Sequence, residues 1–505
     1  MALRLTGKTL QSTAPAATSL QPAASAESLV FQARTVLAGG DVPAFSALFA
    51  KADELTDPHR RFHARLALID AGLSVTAQAS EGLAARIYVA VAEATLSMLE
   101  ATPSEPTILN LAGVALYELW SLDAAQTLFR AARRLDPSLT NVERNLGEVG
   151  RRRRTGRRTR PLHAAVPGLA RRAASVANRA TPATDLTLSL CMIVRDEEQM
   201  LPRCLAAAAP AVDEIIVVDT GSTDATVSIA KSFGAKVIEF PWTGSFSEAR
   251  NISFGAATGD WVMYLDADEI LVTEDVEQLR ALTGRTWREA FYLVETSYTG
   301  ELGEGGAMVN NALRLFRNRP EYRFKDRLHE QIAHTLPTYI PGRVEQSPVR
   351  VTHYGYLGAV RDAKEKSQRN VELLRKQAAE SPQTPFLHFN LGSEHIVAGD
   401  LSAAVQELKT ARTLLTEDGS ITRCEYAPSL FTRLVMVLRM CGRISEAQAT
   451  AAEGLQLFPR FTDLVLAQGR IAQTQGEIDQ AIALYHRCIE MGDAPARYGP
   501  QLGSG

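Results

Sequence analysis

LTLSLCMIVRDEEQMLPRCLAAAAPAVDEIIVVDTGSTDATVSIAKSFGAKVIEFPWTGSFSEARNISFGAATGDWVMYLDADEIL, residues 186–271, is the stretch whose reading decides the fold. Within it three apolar, β-branched runs, LTLSLCMIV, EIIVVD and WVMYLDAD, each end in acidic or polar residues. None alternates, which suits strands buried on both faces of a parallel sheet. The segments between them have helical length and period, so the order is β-α-β-α-β. Open sheets of this kind bind ligands outside the carboxyl ends of their strands, and the acidic residues sit at those ends.

Outward from this core, the 505-residue chain is long enough for about three domains, and 46% hydrophobic residues suffice for real cores. A formal charge of −3 implies no global electrostatic partner. The five cysteines show no CxxC pair or regular spacing, so neither a zinc site nor a disulfide framework is expected. The first residues lack the apolar core of a signal peptide, and no uncharged apolar run reaches the ~18 residues of a membrane span. The expectation is a soluble cytoplasmic protein with a disordered tail over 1–26.

Residues 27–150 read as helical. TILNLAGVALYELWSLDAAQTLFRAARRLDP, residues 107–137, resembles a tetratricopeptide repeat, with Leu111, Gly113 and Tyr117 on one helix and Ala125, Phe129 and Ala132 on the next. RRRRTGRRTR, residues 151–160, opens a segment read as an Arg-rich linker over 151–183, since like charges at that density oppose compaction. A peripheral contact with anionic membrane is the sharper alternative. Nucleic acid is disfavoured, because no aromatic residue is interleaved for stacking. Residues 358–497 again read as helix, Gly-marked turn, helix. Gly442 and Gly476, like Ala447 and Ala481, keep the 34-residue tetratricopeptide interval, with an insertion around 416–426 and a tail over 498–505.

Three clusters end the three strands of the central domain, 184–357. Asp196, beside Arg195, lies at the first strand end, whereas Glu197 and Glu198 fit the first turn of a helix. Asp219 closes the second strand before a Gly-Ser turn, where it can accept hydrogen bonds from a base or ribose, or serve turn chemistry alone. Asp266-Ala267-Asp268 follows the third. Residues two apart on a strand share a face, so both carboxylates can meet at its open end, and such hard oxygen ligands suit Mg²⁺ or Mn²⁺ shared with substrate phosphates.

The elements LCMIVRDEE, IIVVDTGSTDAT, FSEARN and YLDADE, followed by RLFRN, RLHE and VTHYGY, resemble the family 2 glycosyltransferases of GT-A fold over roughly residues 186–356. With helical repeats on both sides they are most similar to the SunS-like peptide glycosyltransferases. The resemblance implies an α/β GT-A (Rossmann-like) catalytic domain flanked by all-α repeats, and an inverting, metal-dependent enzyme using a nucleotide-diphosphate sugar. It implies nucleotide contacts at Asp196 and Asp219, and places Arg250 and Asn251 toward the donor. Asp268 would bind the metal, with Asp266 on the metal or the sugar nucleotide and His353 as a further ligand; strand-end packing beside Tyr354 and Tyr356 is the alternative for His353. It makes Glu330 the general base that takes the acceptor's proton, with His329 beside it orienting the acceptor, tuning the base or serving structure alone.

The expected function is sugar transfer to a peptide or protein side chain presented by the repeats. The same chemistry on a cell-envelope glycan or lipid carrier is the first alternative. A non-catalytic tetratricopeptide scaffold that binds nucleotide sugar is the second.

Overall fold

The computed structural model describes residues 25–156, 162–300, 307–325, 332–357, 360–381, 383–424 and 426–492. Two compact units make up the chain. The first comprises Met1–Leu186, Arg280–Glu289 and Pro337–Glu345; the second comprises Thr187–Leu279, Ala290–Leu336 and Gln346–Gly505.

The expected β-α-β-α-β core is present and forms part of a larger sheet. Its strands are Leu188–Val194 (β1), Glu214–Asp219 (β2), Lys236–Glu239 (β3), Trp261–Tyr264 (β4), Glu269–Leu271 (β5), Ala290–Gly300 (β6), Ala307–Arg317 (β7) and Val344–Leu357 (β8). They lie in the order β3-β2-β1-β4-β7-β6-β8-β5. Strands β3, β2, β1 and β4 run parallel, whereas β7 is antiparallel to both β4 and β6, and β5 is antiparallel to β8. The run LSLCMIV is buried along nearly its whole length, as a central strand covered on both faces must be. Because β1 lies between β2 and β4, strand order reverses there. The crevice outside the carboxyl ends of β1 and β4 is therefore the topological switch point, where ligands bind in open α/β sheets.

In the first unit, helices Pro106–Glu118 and Leu122–Leu135 form the expected repeat pair. Gly113 permits their close approach, since a Cβ there would stand 2.5 Å from the Phe129 ring. Helix Glu81–Ala101 is long and apolar enough to cross a membrane by length and composition. In this fold its Ile87, Val91, Leu96 and Leu99 are buried, and its Glu93 and Glu100 pair with Arg172.

The linker expected over 151–183 is instead largely helical. Helix Thr140–Thr155 continues through the first four arginines, and helix Val166–Arg179 buries Leu169, Ala173 and Val176. Side-chain partners offset the repulsion on which the linker reading relied: Arg151 pairs with Glu148, Arg153 with Asp123, and Arg152 stacks 4.3 Å from both the Tyr117 and Trp120 rings. Residues 157–161, residues 1–24 of the tail expected over 1–26, and the tail expected over 498–505 lie outside the described residues; Ser25 and Ala26 are the N-cap and first residue of helix Ala26–Ala38.

A second departure concerns domain continuity. Segments 280–289 and 337–345, read as part of an uninterrupted catalytic domain, belong with the amino-terminal helices. Buried ion pairs hold them there: Arg288 with Asp136 at 2.8 Å and Arg343 with Glu105 at 2.9 Å. Charges this enclosed require partners, and hydrophobic periodicity carries no record of which partner that will be.

The second unit also contains the carboxy-terminal helices, from Val360–Glu380 to Ile478–Met491. Gly399, Gly442 and Gly476 take φ of 82°, 71° and 79° in the turns between paired helices, the left-handed conformation glycine adopts without strain. Ala447 and Ala481 are buried at the expected interval. These helices reach the sheet domain, since Phe246, which begins helix Phe246–Ala256, packs against Leu374, Leu387 and Leu391.

Candidate active site

The loops after β1 and β2 are stitched together by hydrogen bonds. Asp196, at a positive φ of 54°, donates its N–H to the Ser222 hydroxyl at 2.9 Å and accepts the Thr223 N–H at 2.7 Å. The Glu197 N–H donates to Thr226 Oγ1, and the Glu198 N–H to Asp224. The Asp219 carboxylate is buried and accepts from the Gly221 and Ser222 N–H groups and the Ser222 hydroxyl. Both candidate nucleotide-contacting carboxylates thus organise these loops, with Asp196 the more open. Arg195 is exposed, 3.7 Å from Asp196.

The turn after β4 carries the central chemistry. The Glu269 N–H donates to the Asp266 carbonyl, and the Asp266 N–H donates to Glu269 Oε2, both at 3.0 Å. This pair of hydrogen bonds closes Asp266-Ala267-Asp268-Glu269 and leaves Asp266 and Asp268 half-buried at its rim. Arg250, buried at 4% exposure, donates to Asp266 at 3.2 Å, with its guanidinium against the rings of Tyr264 (4.8 Å) and Phe324 (5.4 Å). Burial opposes ionisation of Asp266, but the guanidinium groups of Arg250 and Arg314 prevail and hold its carboxyl below the usual range. Glu269, 1% exposed, behaves oppositely: burial pushes it up to about 7 against the pull of Arg314.

His353 stands opposite Glu269 in the β5–β8 ladder, with Nε2 3.5 Å from Asp268 Oδ2. Burial lowers its basicity, but the adjacent Asp268 carboxylate outweighs this and raises it above the ordinary imidazole value. The Tyr354 N–H donates to the Asp268 carbonyl at 3.0 Å, which fixes the end of β8 against the turn.

An imidazole nitrogen and a carboxylate oxygen facing one another are suitable donors for a divalent cation. Among the described residues, no group of three or more His, Cys, Asp or Glu side chains is placed to hold a metal ion. The donors present therefore fit an ion whose remaining positions are filled by water and substrate phosphates, the usual arrangement for Mg²⁺.

Asn251 is spent on structure. Its amide donates to the Phe324 carbonyl and accepts the Phe324 N–H, both at 2.9 Å, so it clasps the backbone of the segment that leads toward 326–331. Glu330 and His329 lie outside the described residues. Sequence reading assigned no role to Glu269, Arg314, Glu295 or Ser297, although Glu269 directly follows the DxD motif and Arg314 opens RLFRN. Arg314 pairs with both Glu269 and Glu295, and Ser297 lies between Glu295 and His353.

Comparison with known proteins gives one family match: residues 189–345 fit the model described as glycosyl transferase family 2. A TPR repeat-containing protein of Synechococcus elongatus is 39% identical over 230 residues, 44% of this chain and 55% of that protein. Glycosyltransferase SunS of Bacillus phage SPbeta is 29% identical over 224 residues, 43% of this chain and 51% of that protein. The chain thus spans about half the length of either relative. Among solved structures, glucosyl-3-phosphoglycerate synthase of Mycobacterium tuberculosis, in complex with Mn²⁺, UDP and glucosyl-3-phosphoglycerate, is 26% identical over 22% of this chain and 44% of that one, at a TM-score of 0.20.

Proposed function

We infer that this chain, whose residues 189–345 fit the glycosyl transferase family 2 model, transfers a sugar from a nucleotide-diphosphate donor to a polypeptide side chain, with inversion. The observation that carries this reading is the Asp268–His353 pair at 3.5 Å, on a turn anchored by Arg250 at the switch point of the sheet. A divalent cation held by Asp268 and His353 would neutralise charge on the departing diphosphate. Arg250 and the Glu269-closed turn keep Asp266 ionised and aimed at the same crevice, where it meets the donor or the ion.

Inversion needs one general base on the acceptor side. Glu330 is assigned that role from its place in RLHE, with His329 orienting the acceptor. Asn251 supports the approach to this segment through Phe324. A polypeptide acceptor is favoured by the carboxy-terminal helices, because helical repeats of this kind bind extended chains and here pack on the helix that carries Arg250. The membrane-linked alternative draws less support, since Arg151, Arg152 and Arg153 already have partners within their own unit.

Purified protein incubated with a panel of nucleotide sugars, Mn²⁺ and an unfolded polypeptide should release nucleoside diphosphate and add the sugar mass to the peptide. Asp268→Ala should lose both signals. A wild type that binds nucleotide yet neither hydrolyses nor transfers would establish the scaffold reading instead.

A further inference from the structure

Beneath the Asp266–Asp268 turn, three side chains without an assigned role form a closed circuit with it. Arg314 on β7 is largely buried and pairs with Glu269 and, at 2.9 Å, with Glu295 on β6. Through Glu269, whose second oxygen accepts the Asp266 N–H at 3.0 Å, it grips the turn that carries both aspartates. Through Glu295 it reaches Ser297, whose hydroxyl is 3.2 Å from the other Glu295 oxygen and 3.2 Å from His353 Nδ1. His353 Nε2 then faces Asp268 at 3.5 Å, and the circuit returns to the turn.

Proton placement along this path follows from which groups can donate. A Glu295 carboxylate beside a guanidinium only accepts, so the single Ser297 hydroxyl proton goes to Glu295. The Ser297 oxygen is then left to accept, and Nδ1–H of His353 is the donor facing it. When a cation takes the place of the Nε2 proton, the imidazole keeps its proton on Nδ1 and presents the Nε2 lone pair on the side of Asp268, the form that ligates a metal.

We propose that Arg314, Glu295 and Ser297 are positioning residues that fix the Nδ1–H tautomer of His353 and hold its Nε2 and the Asp268 carboxylate as a paired site for a divalent cation. The proposal rests on the metal site inferred above. It adds that the two ligands, from β8 and from the turn after β4, are kept in register by one buried guanidinium bridging two carboxylates.

The test is Mn²⁺ titration of the full chain in the presence of UDP, followed by electron paramagnetic resonance of the bound ion. Ser297→Ala removes the hydroxyl that joins Glu295 to His353 while leaving the Arg314–Glu295 ion pair in place, and should weaken Mn²⁺ binding by about 10–100-fold, the usual effect of cutting a support to a ligating histidine. The fold should survive with only a modest fall in the unfolding midpoint, and Ser297→Thr, which keeps the hydroxyl on a strand-compatible side chain, should restore Mn²⁺ binding to within a few-fold. Arg314→Lys keeps the charge but loses the planar fork, and should also weaken Mn²⁺. Should that variant fold poorly, Ser297→Ala decides. Wild-type Mn²⁺ affinity in Ser297→Ala overturns this proposal alone; a wild type that binds UDP but no Mn²⁺ overturns the metal site beneath it, and the proposal with it.

Discussion

The Asp266–Arg250 contact shows what a single residue is asked to do here. Arg250 is enclosed by Tyr264 and Phe324 and makes its charge-assisted bond to a carboxylate that is itself half open to solvent. Arg250→Met should therefore cost less than breaking a fully enclosed pair, about 1–3 kcal/mol by denaturant titration, because water can replace part of what Asp266 loses. Donor turnover should fall further than stability, since Asp266 would no longer be held toward the crevice. A variant that loses stability while retaining wild-type kcat/KM would show that Asp266 has no part in donor binding. The importance of Arg250 was legible in FSEARN, but the aromatic walls around it were not, because Tyr264 and Phe324 come from separate stretches of chain.

At the level of elements, two devices make opposite predictions. Asn251 joins helix Phe246–Ala256 to the backbone at Phe324 with two hydrogen bonds. Asn251→Ala should cost about 1–3 kcal/mol in stability and raise the acceptor KM more than the donor KM, because the clasped segment leads toward Glu330. Equal changes in both KM values would count against that division of labour. In the repeats, Gly113 lies under Phe129 with no room for a side chain, so Gly113→Val should lower the unfolding free energy of the first unit by about 1–3 kcal/mol through overpacking. Donor hydrolysis, measured below the unfolding range, should be unchanged. The helix–turn–helix spacing was readable because small and large residues recur locally. The helical character of 151–155 and 166–179 was not, since it depends on carboxylates and rings brought from elsewhere in that unit.

Across the first unit, Glu105 makes stability depend on pH. Burial pushes its carboxyl up to about 7, outweighing the pull of Arg343, so the fold binds the Glu105 proton more tightly than the unfolded chain does. The corresponding stability is fully present below the ordinary carboxylate range and is lost as pH rises toward 7. Between pH 4.5 and 7.5 the wild type should lose on the order of 1–3 kcal/mol relative to Glu105→Gln, which cannot titrate. Parallel stability–pH curves for the two proteins would refute this coupling. Because Glu105 immediately precedes helix Pro106–Glu118 and Arg343 lies just before β8, the pair also explains why residues 337–345 belong with the amino-terminal helices.

Sequence alone determined the kinds of element and their order. Unbroken β-branched runs at 188–194, 214–219 and 261–264 mark buried strands, regular small–large spacing marks helix pairs, and the carboxylates after β4 mark the crevice; all are encoded by neighbours along the chain. Only the tertiary structure decided which distant groups meet. Arg314, Glu269, Glu295, Ser297 and His353 come from four strands, and their hydrogen bonds exist only once β5 lies against β8 and β6 against β7. Burial is written in local pattern, whereas the partner of a buried charge is chosen by the closing of the sheet. For this reason the DxD motif could be read directly, while the circuit that holds it could not.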